Sequence, residues 1–138
     1  MLELVIFVGL PGSGKSTYYR EHYAATHVHV SKDLMPNARS RDDQQRKLIE
    51  QALAAGKSVV VDNTNPSRDS RAALIAIGKR FGAHVIGYFF DVDVRACIVR
   101  NREREGRARV PEVAIFTTKK KLQPPDADEG FDEVHCIS

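Results

Sequence analysis

The chain is poor in cysteine and has no long apolar run: only Cys97 and Cys136 occur in 138 residues. Two cysteines cannot form the disulfide framework of a small secreted scaffold, and their apolar neighbours predict core packing in a reducing compartment. No apolar stretch approaches the roughly 20 residues needed to span a bilayer. The amino end lacks the basic start and cleavage site of a signal peptide and reads as a strand. These absences predict a cytoplasmic protein with no membrane partner. Repeats, low-complexity tracts and long linkers are also missing, so residues 1–138 are expected to form a single domain. The hydrophobic share of 42% and charged share of 28% suit a globular protein. Net charge is only +3, but it is unevenly spread. Arg95, Arg100, Arg102, Arg104, Arg107 and Arg109 crowd one segment and Lys119, Lys120 and Lys121 follow, whereas Asp126, Asp128, Glu129, Asp132 and Glu133 sit near the end. A local basic surface suits a polyanion such as ATP or a nucleic acid.

What is present centres on residues 9–17, Gly-Leu-Pro-Gly-Ser-Gly-Lys-Ser-Thr, which fit G-x-x-x-x-G-K-[ST]. An apolar run, residues 4–8, precedes the motif, and a helix-compatible segment from Lys15 to Ala25 follows. Strand, tight loop and helix in that order give the motif its chemistry. Gly9, Gly12 and Gly14 let backbone N–H groups approach a phosphate chain. The helix start adds its positive end. Gly12, Ser13, Gly14, Lys15, Ser16 and Thr17 are therefore the candidate ATP-binding residues. Lys15 is expected to neutralise the terminal phosphates and the Ser16 hydroxyl to hold Mg²⁺.

Beyond the loop, strands and helices alternate. Strands are expected at 27–30, 58–61, 84–90 and 131–137. Helices are expected at about 42–55 with Leu48, Ile49, Ala52 and Leu53 inward, after a Ser67 cap to about Arg80 with Leu74 and Ile77 inward, from near Asp93 to near Gly106, and after Pro111 with Val113 and Phe116 inward. The pattern predicts an α/β fold: a nucleotide-kinase-like P-loop sandwich of three layers with a five-stranded parallel sheet. Ligands in such sheets sit at the carboxyl ends of the strands, so the residues that follow each strand carry the functional weight.

Asp62 follows Val59-Val60-Val61 and stands where such folds place the acid that helps hold Mg²⁺, although the turn-rich residues after it also suit a turn-forming aspartate. Asp33 follows a shorter strand; its carboxylate suits either a proton acceptor for an attacking hydroxyl or an N-cap. The arginines between 100 and 109 include candidates for a lid over ATP, two or three of them acting as a mobile clamp and the rest lying on the surface. Asp91-Val92-Asp93 resembles a phosphatase nucleophile pair, but Val94-Arg95 replaces the Gly-Thr that such a pair needs. Asp93 reads as a helix cap. The histidines show no metal-ligand spacing and read as packing.

Taken in order, these pieces resemble the kinase domain of the 5′-hydroxyl polynucleotide kinases over nearly the whole chain. The match includes the Gly-rich loop, Asp62-Asn63-Thr64-Asn65-Pro66, Arg100-Asn101 with Arg104, Val110-Pro111, and the ending Glu129-Gly130-Phe131-Asp132-Glu133-Val134. The resemblance implies ATP- and Mg²⁺-dependent transfer of the γ-phosphate to the 5′-OH end of DNA or RNA. It implies Asp33 as general base, Asp62 near the metal with Ser16, and Arg100 and Arg104 with Lys15 on the donor phosphates. Asn65 and Arg39 are the candidates for the acceptor side with Asp33. Phage members of the family carry an arginine three residues beyond the base; Pro36 stands there, and Arg39 or Arg41 is the replacement the resemblance offers. The phosphatase motif Asp-x-Asp-Gly-Thr does not occur in the 138 residues, which implies a kinase alone or one that works beside a separate phosphatase or ligase. Two other readings share the fold: a kinase of a small hydroxyl compound, and a nucleotide-binding switch without transfer chemistry.

Overall fold

The structure is a computed structural model and describes residues 1–35, 40–106 and 109–138. Five strands form one sheet: β1 (Glu3–Gly9), β2 (Val28–Val30), β3 (Val59–Val61), β4 (His84–Phe90) and β5 (Glu133–Ile137). The spatial order is β2-β3-β1-β4-β5, and all four pairings among the described strands are parallel. β1 is the centre: Val5 pairs with Val60 on one side and with Ile86 on the other. Both faces of a central parallel strand must be covered, which is why Leu4 to Val8 and Val59 to Val61 are apolar throughout and fully buried. The expected five-stranded parallel sheet is what forms.

The helices α1 (Lys15–His22), α2 (Arg41–Ala54), α3 (Arg68–Arg80), α4 (Val94–Arg102) and α5 (Glu112–Lys121) complete the sandwich. On one face Leu4, Ile6, Val8, Val59, Val61 and Val85 pack against Ile49, Leu53, Leu74, Ile75 and Ile77. On the other, Val5, Phe7, Val60, Ile86 and Phe90 pack against Tyr19, with Tyr18 and Tyr23 beside it. A third, smaller cluster of Leu10, Cys97 and Ile115 lies where α4 and α5 meet the Gly-rich loop. This cluster fixes the loop against the helices that follow β4.

Local signals set the helix starts. Ser67 and Ser70 cap α3 reciprocally, each side chain accepting the other's backbone N–H at 3.1 Å. Asp93 caps α4 by accepting from Arg95 N at 3.3 Å. Five expectations are corrected. Helix α1 ends at His22 and not Ala25, and α4 ends at Arg102 and not Gly106. In α2 the inward set is Gln45, Ile49, Ala52 and Leu53, one helical stripe, and Leu48 on its flank is 45% exposed. In α5 the inward residue is Ile115; Val113 and Phe116 are 69% and 49% exposed. Ile115 packs on Leu10 and Cys97, and that contact leaves Val113 and Phe116 turned toward solvent. Cys136 is exposed on the edge strand β5, unlike buried Cys97.

Candidate active site

The Gly-rich loop runs from the end of β1 into α1. Gly12 and Gly14 have φ of +81° and +95°, which L side chains rarely adopt. The loop is also tight from outside: a Cβ at Gly12 would stand 2.5 Å from the Cys97 carbonyl oxygen. Lys15 folds back over the loop, its Nζ donating to Gly9 O at 3.0 Å, Leu10 O at 2.7 Å and Ser13 Oγ at 3.3 Å. Burial lowers its pKa from 10.5 to about 8 against the opposing charge of Asp62, and Arg104 pushes it the same way as burial does. The ammonium is thus held in a dry place, satisfied by carbonyls that a phosphate chain can replace.

The Ser16 hydroxyl donates to Asp62 Oδ2 at 2.7 Å, so the end of β3 and the start of α1 meet. Asp62 is 4% exposed. Burial works to raise its pKa, but the hydrogen bonds from His29 and Ser16, with the Lys15 charge, outweigh that and hold it below 3.8. A serine oxygen and an ionised carboxylate are hard oxygen donors, the kind Mg²⁺ takes. Among the described residues no group of three His, Cys, Asp or Glu side chains could hold a metal by itself. The residues therefore fit a cation that completes its shell with phosphate oxygens and water.

Asp33 lies in a 3₁₀ turn, Lys32–Leu34, just beyond β2. Its side chain is exposed, and its backbone N–H is capped by Ser31 Oγ at 3.3 Å. The capping residue is thus Ser31, and the Asp33 carboxylate faces outward. Lys15, Ser16, Asp33, Asp62, Asn63 and Arg104 all line one cavity of about 650 Å³ at the carboxyl ends of the strands. Next to it, a second hollow of about 640 Å³ is lined by Ser13, Gly14, Thr17, Asp91, Arg100 and Arg104. Arg104 borders both, whereas Arg100 borders only the second and lies over Gly14.

Asn65 lines the main cavity, yet its amide is turned inward, donating to Phe7 O at 2.8 Å. Its own carbonyl accepts from Arg71 Nη1 at 2.9 Å. Arg39, the other acceptor-side candidate, lies outside the described residues, as does Arg107 of the basic segment.

Three residues that sequence reasoning passed over shape the site. His29, read as packing, donates from Nε2 to Asp62 Oδ2 over 2.8 Å. Gln45 takes the Asn63 amide at 2.5 Å while Asn63 Oδ1 accepts from Lys32 N at 2.9 Å, tying α2 to the turn that carries Asp33. Asn101, 1% exposed, holds Val110 from both sides, donating to its carbonyl at 2.7 Å and accepting from its N–H at 2.9 Å. That clasp ties the last turn of α4 to the residue before Pro111. The sequence signal for His29 was its alternation in β2 two residues before Ser31; for Asn101 it was a polar residue on the Cys97 face of an amphipathic helix.

A phosphate loop after the central strand of a parallel sheet, with a lysine and a serine–aspartate pair at its mouth, defines a P-loop nucleotide-binding domain. The chain belongs to the AAA domain family, whose sequence model matches residues 4–125. It is 30% identical over 148 residues to the bifunctional polynucleotide phosphatase/kinase of Schizosaccharomyces pombe, covering 98% of this chain and 33% of that protein. The chain spans a third or less of the length of the curated relatives it matches. Among solved structures, a chain of the Pnkp1/Rnl/Hen1 RNA repair complex superposes with a TM-score of 0.72 at 27% identity, over 95% of this chain and 46% of that one. Chaetomium thermophilum Kti12 in complex with ADP-AlF3 shares the fold, with a TM-score of 0.74 at 17% identity over 98% and 88% of the two chains.

Proposed function

We propose that this chain is an ATP-dependent kinase domain that phosphorylates the 5′-hydroxyl end of DNA or RNA. The observation that carries the reading is the shared cavity: the exposed Asp33 carboxylate opens onto the same space as Lys15, Ser16 and Asp62. A hydroxyl placed there has a proton acceptor on one side and the phosphate loop on the other. The names of the polynucleotide phosphatase/kinase relative and of the RNA repair complex support the choice of acceptor.

In this reading the nucleotide lies along residues 12–17, its phosphates on the loop N–H groups and on Lys15. Arg100 and Arg104 follow the charge on the transferring group from the lid side. Asp33 takes the proton of the 5′-OH as its oxygen bonds to the γ-phosphorus. The bond from that phosphorus to the β–γ bridging oxygen breaks, and ADP leaves. Ser16 and Asp62 would hold Mg²⁺, which would supply charge neutralisation to the phosphates. Asn65, its amide fixed on Phe7, shapes the acceptor wall through its loop, and Arg39 is the acceptor-side arginine that the resemblance implies. A separate phosphatase or ligase is the partner this reading predicts; the name of the Schizosaccharomyces pombe relative couples a phosphatase with a kinase.

The test is label transfer from γ-labelled ATP to short 5′-OH oligonucleotides with Mg²⁺, DNA and RNA side by side. Transfer that disappears in Lys15→Ala and Asp33→Ala is expected. Intact ATP binding with no transfer to any oligonucleotide overturns the acceptor and redirects the search to small hydroxyl compounds.

A further inference from the structure

We infer that His29 is a positioning residue for the metal side of the site: its imidazole fixes the Asp62 carboxylate in the orientation a divalent cation beside Ser16 requires. The inference rests on the reading of Ser16 and Asp62 as the cation's place, and not on the identity of the acceptor.

The need for such a residue comes from the carboxylate itself. The terminal torsion of an aspartate is broad and roughly two-fold, so a side chain alone does not fix where its oxygens point. The Ser16 hydroxyl contacts Oδ2 at 2.7 Å, but a hydroxyl rotates to suit its surroundings and cannot set the plane. The second contact to the same oxygen is His29 Nε2 at 2.8 Å. Unlike the serine, the imidazole is clamped. It stacks on the Tyr19 ring with centroids 4.0 Å apart and planes 15° from parallel. Tyr19 is fixed in turn, its hydroxyl donating to the His27 carbonyl at 2.6 Å.

The placement is that of a designed support. His29 pairs in register with Val60 on β3, on the sheet face covered by α1. Helix α1 contributes both Ser16 and Tyr19, β2 contributes His29, and Asp62 ends β3. One ring thus joins the three elements that meet at the cation's place. The arrangement matches the general role of outer hydrogen-bond partners, which orient metal-holding side chains. A histidine used only for packing on that face would have no reason to aim Nε2 at a carboxylate whose side chain is 3% exposed.

Two variants separate this role from packing. His29→Phe keeps a ring for Tyr19 and removes the hydrogen bond to Asp62. His29→Gln gives up the ring and returns an N–H near the position of Nε2. The primary readout is binding of a fluorescent ATP analogue to the full chain, with and without Mg²⁺, so it does not depend on any transfer reaction. For His29→Phe we expect unchanged metal-free binding and a requirement for Mg²⁺ raised by about 10- to 100-fold. His29→Gln should recover most of that loss. A wild-type Mg²⁺ requirement in His29→Phe overturns the inference, as does a His29→Gln no better than His29→Phe. Should the phenylalanine variant not fold, His29→Ala with and without added imidazole replaces it: imidazole restoring the Mg²⁺ response supports the role, and a response that imidazole leaves unchanged overturns it. If the wild-type protein binds Mg²⁺-nucleotide with this His29 dependence yet transfers nothing to 5′-OH ends, only the acceptor reading fails.

Discussion

Arg100 lies across Gly14: a Cβ at position 14 would stand 2.7 Å from the Arg100 Nη1 nitrogen. The Arg100 guanidinium thus lies against the phosphate loop. At the other end of the loop Gly12 faces the Cys97 carbonyl, at 2.5 Å from its own hypothetical Cβ. The two contacts look alike in distance but differ in what can yield. A guanidinium at the end of a flexible side chain moves cheaply, and a carbonyl inside α4 does not.

Both glycines have positive φ, so an alanine at either costs about 1–2 kcal/mol in backbone strain. At Gly12 the overlap with α4 adds about 1–3 kcal/mol. Gly12→Ala is therefore expected to lower the unfolding midpoint clearly more than Gly14→Ala in parallel thermal melts. Gly14→Ala is expected to lose nucleotide affinity with a smaller loss of stability. Equal midpoints for the two would contradict the packing of α4 on the loop.

Lys15 gives the protein a distinctive response to alkali. Its folded pKa of about 8 lies below the unfolded 10.5, so between these values the unfolded chain binds more protons. Stability contributed at this position then rises with pH across that window, by on the order of 3 kcal/mol at most. Tyr19 and Tyr23, whose pKa values burial raises, act in the opposite sense above about pH 10, so the comparison must be with Lys15→Met, which lacks the rise. The same proton marks nucleotide binding: phosphates favour the ammonium, so affinity should hold below pH 8 and fall above it. Calorimetric titration near pH 8.5 in buffers of different ionisation enthalpy should detect net proton uptake on binding, absent in Lys15→Met.

The architecture was legible in the sequence because its signals are local and repeated. A buried parallel strand is apolar at every position, as in Leu4 to Val8, and Ser67 and Asp93 mark their helix starts. The Gly-rich loop announces its own geometry. Partners from distant segments were not legible. Nothing near His29 says that Tyr19 will stack on it or that Asp62 will stand 2.8 Å from its Nε2. Nothing in Asn101 says that it will clasp Val110. The orientation of α5 failed for a related reason. Val113, Ile115 and Phe116 are all apolar, and only contact with Leu10 and Cys97 decides which one turns inward.

The two aspartates of the main cavity should fail differently. Asp33 is exposed, and its carboxylate makes no hydrogen bond or ion pair among the described residues, so Asp33→Asn should leave the melting curve unchanged. Transfer should fall by about 10²- to 10⁴-fold, the usual contribution of a general base, with nucleotide affinity retained. Asp62 is buried and bonded to Ser16 and His29. Asp62→Asn should instead raise the Mg²⁺ requirement and shift the melt. Single-turnover transfer at several Mg²⁺ concentrations separates the cases: excess Mg²⁺ should rescue part of the Asp62→Asn loss and none of the Asp33→Asn loss.

Arg71 and Glu129 make the one strongly buried ion pair among the described residues, with side chains 0% and 4% exposed. The pair is bidentate, Nε to Oε1 and Nη2 to Oε2 both at 2.9 Å, and the remaining Nη1 holds the Asn65 carbonyl at 2.9 Å. It therefore ties the loop after β3, which follows Asp62, to the turn that leads into β5. Removing one partner strands a charge in the interior, so Glu129→Gln or Arg71→Met should cost about 3–5 kcal/mol, whereas Arg71→Met with Glu129→Leu should cost much less. Burial works to raise the Glu129 pKa, but the hydrogen bonds from Arg71 and the Asp126 N–H outweigh it and hold it below 4.5. A depressed carboxylate contributes its stability fully above its unfolded pKa, here about pH 4.5, and loses it as the pH falls through the lower folded value. Denaturant unfolding from pH 7 down to pH 3 should show wild type losing stability across that range, with the double variant losing less. A double variant as destabilised as the singles would mean that the loop depends on the Arg71–Asn65 bond itself and not on charge balance, and the alternative substitution Glu129→Leu alone would then be no worse than Arg71→Met.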